Sequence, residues 1–146
     1  RSPCPFLTCA VKRKGIEFCW LCSESQTCAR LKANREFAKI HDTSTCYQKI
    51  ADNARFIHQN GIDAFEKEQK TREQLLRQML AEFNEGRSKT LYCIAATVME
   101  ALELNAVLNE ARARSSTLDV KGRAELMRSL LGDIAMKKGY ILKLRK

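Results

Sequence analysis

Five of the seven cysteines lie within the first 28 residues, and two of them, Cys19 and Cys22, are separated by only two residues. Two thiolates at this spacing lie on one turn and can bind the same metal ion. The loop around them, residues 15–28, is short and carries Gly15, Ser23, Ser25 and Thr27. Because such a loop is too small to build its own apolar core, we expect a bound ion to fix its geometry.

The clustered cysteines are therefore candidate metal ligands. A structural zinc site needs four soft donors in a tetrahedron, of which the close pair supplies two. The candidate set is Cys4, Cys9, Cys19, Cys22 and Cys28. Four thiolates also hold an iron–sulfur cluster, but the tight cysteine runs of ferredoxins are absent, which favours zinc. The remaining alternative is a set of reduced cysteines without metal.

The cysteine count also bears on the redox compartment. Seven is an odd number, and no apolar signal segment occupies the first 20 residues. Reduced thiols in the cytoplasm are therefore favoured over disulfides. A thioredoxin-like dithiol enzyme is disfavoured, because that chemistry requires a strand before the cysteine pair and a sheet around it.

The rest of the chain predicts helices. Apolar residues recur at helical spacing, and glycines punctuate the pattern. The predicted helices cover residues 6–14, 27–40, 45–59, 62–85, 88–112 and 120–138, with residues 113–119 as a connection and residues 140–146 as a short strand or an extended arm. We predict a mainly α protein in which a short N-terminal cysteine knuckle, residues 1–40, packs on a bundle of about four to five helices, residues 41–146.

Several details of these helices are specific enough to test. Asp42, Thr43 and Ser44 are candidate N-caps for the third helix. In the fourth helix, the charged stretch 66–74 is expected to be exposed or bent. Along the fifth, one apolar stripe is predicted to run as far as Leu102.

Two cysteines and two histidines lie outside the N-terminal cluster. Cys93 is in an apolar helical run, where a cysteine packs as a small hydrophobe. Cys46 and His41 lie at the start of a predicted helix and are interpreted as residues of a helix terminus rather than as a nucleophile and its base. His58 is interpreted as a surface or helix-capping residue.

Positive charge is concentrated at the two ends of the chain, within a net charge of +9. Basic clusters occur at residues 12–14, at Arg112 and Arg114, and at residues 137, 138, 143, 145 and 146. Such patches attract nucleic acid or an acidic protein, but few aromatic residues accompany them, so solvated helix faces are favoured. A protein partner is expected and nucleic acid remains a second possibility. No apolar run is long enough to span a membrane, and no membrane association is expected.

The order of residues around the cysteines matches a known pattern. It comprises the runs Cys4-Pro5-Phe6-Leu7-Thr8-Cys9-Ala10, Lys14-Gly15-Ile16-Glu17-Phe18-Cys19-Trp20-Leu21-Cys22 and Cys28-Ala29-Arg30-Leu31. These first 35 residues resemble a family of cysteine-rich prokaryotic proteins classed as a domain of unknown function, DUF3795. Residues 83–89 and the helices around them resemble a helical extension found in some members. The resemblance implies a cytoplasmic bacterial or archaeal protein whose cysteines are expected to bind metal.

Taken together, these features predict a small metal-binding protein, with structural zinc, that acts as an interaction or regulatory module. An iron–sulfur redox or electron-transfer protein is the alternative. The sequence contains no phosphate-binding glycine loop and no serine nucleophile motif, so it does not specify a reaction.

Overall fold

The computed structural model describes residues 4–41 and 49–143 and is mainly helical. The chain begins with a single helical turn, α1 (Pro5–Leu7), which continues into a π-helical segment, Thr8–Arg13, and is followed by two 3₁₀ turns, Cys19–Leu21 and Ser25–Thr27. The longer helices are α2 (Ala29–His41), α3 (Ile50–Asn60), α4 (Ile62–Phe83), α5 (Lys89–Val98), α6 (Ala101–Arg114) and α7 (Val120–Lys138). The prediction of a mainly α protein is confirmed.

Helices α4 to α7 share one apolar core. Its largest fully buried side chains include Phe83, Tyr92, Leu104 and Leu108. The Tyr92 hydroxyl donates a hydrogen bond of 2.9 Å to the Phe83 carbonyl oxygen, so its one polar group is satisfied inside the core. Burial of apolar side chains at this density is the main source of stability in helical bundles.

The prediction of one continuous helix over residues 88–112 is wrong. The helix is interrupted at Met99 and Glu100, whose backbones are extended and which separate α5 from α6. Glu100 is the N-cap of α6 and forms a capping box with Glu103. The break rotates the second half of the predicted stripe away from the core, so Leu102 is 85% exposed whereas Leu104 is buried. In this capping box, the side chains of Glu100 and Glu103 each accept a hydrogen bond from the other residue's backbone N–H group. They replace the carbonyl acceptors that a continuous helix would have provided.

The charged middle of α4 also differs from its prediction at one residue. The helix is continuous, and most of residues 66–74 are exposed or half-buried, but Arg72 is only 5% exposed. Its guanidinium donates to the Thr97 carbonyl and to Glu100, each at 3.2 Å. Lys49, at the start of α3, donates to the other oxygen of Glu100. Glu100 therefore connects α3 and α4 with the junction between α5 and α6.

Helix α3 lies between the cysteine-containing turns and the bundle. It contacts both 3₁₀ turns and α2, and it also contacts α4. The prediction of a helix at 45–59 is confirmed from Ile50 onward, while its proposed start and the caps at residues 42–44 lie outside the described residues. The only buried apolar side chains described before α4 are Ala10, Leu31 and Ile57. This half of the chain thus has little apolar core of its own.

The predicted ends of the first and last helices are confirmed. Gly15 and Gly139 follow these helices with φ values of 63° and 71°, a left-handed conformation that favours glycine. Beyond Gly139, Tyr140 and Leu142 pack against the bundle core, and the described residues there, 140–143, form no strand.

Candidate metal site

Four of the five candidate cysteines line a single cavity of about 380 Å³ at the N-terminal end of the protein. They are Cys9, Cys19, Cys22 and Cys28. The fifth, Cys4, is exposed and does not line this cavity. The structure therefore brings together a set of soft donors equal in number to the ligands of a structural zinc ion.

Local backbone turns place these cysteines around the cavity. Cys9 lies in the π-helical segment, and the amide of Ile16 donates to the carbonyl of Ala10, which turns the chain back after that segment. Cys19 and Cys22 are linked by a 3₁₀ bond of 3.1 Å from the Cys22 amide to the Cys19 carbonyl. Cys28 immediately precedes α2. The candidate ligands thus come from three places in the fold: the π-helical segment, one 3₁₀ turn with a cysteine at each end, and the start of α2.

The four thiols influence one another electrostatically. The pKa of Cys19 is raised, first by burial and then by the nearby thiols of Cys28, Cys22 and Cys9. Like charges at short range disfavour ionisation, so a metal-free site resists holding several thiolates at once. A divalent cation would reverse this balance, because it stabilises the deprotonated form of every sulfur that it contacts.

A lysine borders the cavity beside one of these sulfurs. Lys14 Nζ lies 3.2 Å from Cys22 Sγ and 2.7 Å from Glu24 Oε2. These two partners, Glu24 foremost, raise the pKa of Lys14, while Lys14 lowers the pKa of Glu24. From the sequence, Lys14 was assigned only to a basic cluster, since the spacing of charges does not reveal which side chain turns toward the thiols.

The cavity also contains a buried hydroxyl without a partner. Ser25 is 7% exposed and lines the cavity, and its Oγ makes no hydrogen bond within the described part of the chain. Buried hydroxyls normally have a partner, and an exception calls for a physical reason. A thiolate brought closer by a metal ion would give this O–H group an acceptor. Nothing in the sequence distinguished Ser25 from the other hydroxyl residues of the loop.

The four candidate ligands line one cavity but are not preassembled into a metal site. The six cysteines in the described ranges are all free thiols. No three histidine, cysteine, aspartate or glutamate side chains among the described residues are close enough to hold a metal ion as they stand. The four sulfurs would have to move together to share one ion.

Cys4 has a different environment from the four cavity cysteines. It precedes α1, and the backbone N–H groups of Leu7 and Phe6 lower the pKa of its thiol. Its exposure and its absence from the cavity lining separate it from the other candidates. Sequence spacing alone did not make this distinction.

The remaining residues singled out from the sequence lie elsewhere. Cys93 is half-buried on α5 and His58 is exposed in the last turn of α3, whereas Cys46 and the side chain of His41 lie outside what the structure describes. Several basic residues have acidic partners: Arg112 pairs with Glu82, Arg114 with Glu110 and Lys138 with Glu103. Ion pairs of this kind reduce the charge that the helical region offers to a polyanion.

An apolar pocket adjoins the thiol cavity and shares Cys19 with it. This second pocket has a volume of about 520 Å³ and lies between the cysteine turns and helices α3 and α4. On its edge, the rings of Phe18 and Trp20 are stacked with centroids 4.3 Å apart and planes nearly parallel. The single tryptophan is therefore a fluorescent probe placed one residue from a candidate ligand.

Comparison of the chain with protein-family models, with curated proteins and with solved structures finds no match. The resemblance of the first 35 residues to the cysteine-rich family thus stays a prediction. Within the described ranges, none of the helices combines the length and apolar character needed to cross a bilayer. The same ranges contain no strand, so the sheet that a thioredoxin-like enzyme needs is missing from them.

Proposed function

We propose that Cys9, Cys19, Cys22 and Cys28 bind one zinc ion, and that this ion holds the N-terminal half of the protein in a fixed shape as an interaction or regulatory module. The observation that carries the proposal is the convergence of these four thiols on one cavity. Cys4 is left out of the ligand set because it is exposed and away from the cavity lining.

The chemistry of the cavity fits a soft divalent ion. Zinc–sulfur bonds of about 2.3 Å place tetrahedral sulfurs roughly 3.8 Å apart, so binding would contract the cavity. The cysteines lie on short turns rather than on long helices, and such turns can move without disturbing the bundle. Contraction would also give the Ser25 hydroxyl a sulfur acceptor. Folding and metal binding would then be coupled, as in small zinc modules.

An iron–sulfur cluster is the second candidate, and one observation favours it. The cavity, at about 380 Å³, is larger than a single ion requires, and four cysteines are the usual ligands of a cubane cluster. In that case the protein would carry electrons instead of serving as a structural module. Zinc remains our first proposal, because the ferredoxin-like cysteine runs are absent from the sequence.

The proposal places the protein in the cytoplasm of a prokaryotic cell, as a member of the DUF3795 family, where its thiols stay reduced. Its partner would be another protein. Nucleic acid is a second possibility, supported by the exposed side chains of Lys12 and Arg13 beside the site. Retention on immobilised nucleic acid that falls steeply with salt would support a polyanion partner, and retention that does not respond to salt would exclude it.

The decisive test is the spectrum of the metal-loaded protein. Protein purified without oxygen should be colourless and contain one zinc per chain, and cobalt substitution should produce the intense sulfur-to-cobalt charge transfer of a four-thiolate site. A brown sample containing iron and sulfide would replace zinc with the cluster. Protein that takes up neither metal, with all its thiols still titratable, would overturn both candidates.

A further inference from the structure

The side chain of Lys14 is oriented differently from those of its basic neighbours. All three residues are exposed, but of the three only Lys14 lines the thiol cavity, where it donates to Cys22 and to Glu24. Gly15 follows with a φ of 63° and ends the helical segment directly after Lys14. The chain turn therefore holds the ammonium group at the edge of the cavity.

We propose that Lys14, anchored by Glu24, is a positioning residue of the metal site that donates a hydrogen bond to the metal-bound thiolate of Cys22 and offsets the negative charge on that sulfur. This inference rests on the proposed function and adds to it a residue outside the ligand set. It assigns a role to a lysine that the sequence grouped with a solvated basic cluster.

The charge of a four-thiolate zinc site explains why a positively charged side chain beside it is favourable. Four thiolates around one divalent ion carry a net charge of −2. The Lys14 ammonium group, 3.2 Å from the Cys22 sulfur, offsets this charge locally, while its partner Glu24 leaves the net charge of the whole cluster at −2. Groups that hydrogen-bond to metal ligands orient them and adjust their donor strength, and their loss typically lowers metal affinity by about 10- to 100-fold. A hydrogen bond also draws electron density from the sulfur, which shifts its charge transfer to the metal toward higher energy.

Glu24 orients the side chain of Lys14. Its carboxylate lies 2.7 Å from the ammonium group, closer than the Cys22 sulfur at 3.2 Å. The carboxylate is well exposed, so the ion pair by itself adds little to folding. Its useful effect is to fix the direction of the lysine side chain. Replacing Glu24 should therefore weaken metal binding less than replacing Lys14.

The test compares two lysines that lie two residues apart. Zinc affinity is measured by competition with a chromophoric chelator for the full-length wild type and for Lys14→Gln, Lys14→Arg and Lys12→Gln. We expect Lys14→Gln to lose about 10-fold in affinity, Lys14→Arg to recover most of it, and Lys12→Gln to match the wild type. In the cobalt-loaded proteins, only Lys14→Gln should move the charge-transfer band to lower energy.

The energy of the cobalt charge-transfer band shows whether Lys14 acts on the Cys22 sulfur or only stabilises the fold. If Lys14→Gln binds zinc as tightly as the wild type, or loses affinity with an unmoved band, the inference is overturned while the zinc site stands. An equal loss in Lys12→Gln would also overturn it, because it would point to a general effect of charge. A wild type that binds neither zinc nor cobalt would instead remove the proposed function itself.

Discussion

The bundle and the cysteine-containing region are stabilised in different ways. Seventeen buried residues of helices α4 to α7 and the α5–α6 junction form one apolar core, whereas Ala10, Leu31 and Ile57 are the only buried apolar side chains described before α4. A fully buried aliphatic or aromatic side chain contributes about 1.5–3 kcal/mol, and only the bundle contains many of them. Few apolar side chains are buried among the described residues before α4, so the proposed zinc ion would supply stabilisation that the bundle obtains from its own core.

Helix α3 connects the two regions, because it contacts elements of both. It contacts the cysteine turns as well as α4. At its start, Lys49 reaches Glu100, which also accepts from the buried Arg72. Loss of the proposed zinc ion should therefore affect α3, whereas the apolar core lies beyond it in α4 to α7. The following predictions test this division, beginning with the largest effect.

Replacing one ligand should remove nearly all the stabilisation of the N-terminal half. Cys9→Ser should abolish tight zinc binding, which in structural zinc sites is worth about 10–16 kcal/mol and is coupled to folding. Calorimetric zinc titration and circular dichroism would show lost binding and lost helix before α4. The matched control is Cys4→Ser, which changes an exposed cysteine outside the cavity and should bind zinc normally. Equal losses in both variants would contradict the ligand assignment.

A truncation in the bundle core should act independently of metal. Leu104→Ala removes a fully buried side chain of α6 and should lower the free energy of unfolding by about 3 kcal/mol. Leu102→Ala, two residues away at an 85% exposed position, should change it by less than about 0.5 kcal/mol. Urea unfolding measures both. A similar cost at the two positions would show that the break between α5 and α6 is misplaced.

The connection through Arg72 should contribute an intermediate amount. Arg72→Met removes the hydrogen bonds to Thr97 and Glu100 and should cost about 2 kcal/mol, because bonds to charged groups are stronger than neutral ones. It should also speed hydrogen exchange in α3. Arg77→Met, on an exposed face of the same helix, removes only a surface pair with Glu73 and should cost about 0.5 kcal/mol. Unchanged exchange in α3 would exclude this route of coupling.

The smallest effect concerns alkaline pH. Burial, followed by the charge of Glu103, raises the pKa of Tyr140 to about 12, above the value near 10 of an unfolded tyrosine. The neutral phenol is thus favoured by the fold, so its contribution is complete below about pH 10 and is lost as the pH rises toward 12. After allowance for solvent screening, the loss should be under about 1 kcal/mol. Tyr140→Phe should flatten this part of the urea stability profile.

Much of the helical architecture was predictable because its signals are local. Gly15 and Gly139 marked helix ends correctly, and the apolar spacing of α4 and α7 matched their buried faces. The break at Met99 was not predictable, because glutamate is an uncommon N-cap and the apolar spacing continues through it. The burial of Arg72 was not predictable for a related reason. Glu68 is a local partner, but Thr97 and Glu100, which also accept from Arg72, lie 25 and 28 residues away in the sequence.

The candidate site was predictable only in part. Cysteine spacing identified the chemistry but could not separate the exposed Cys4 from the four that line the cavity, since that depends on how three short turns fold back on one another. The same folding places Lys14 and Ser25 at the cavity. Neither residue type signals a metal site, so only their positions in space reveal them.

Hydrogen exchange of the zinc-loaded and chelator-treated protein tests the central claim most directly. The account predicts that metal removal abolishes protection in residues 4–60, including the amides of α3, while α4 to α7 exchange as slowly as before. Protection that is the same in both samples throughout residues 4–60 would contradict it, because the N-terminal half would then fold without an ion.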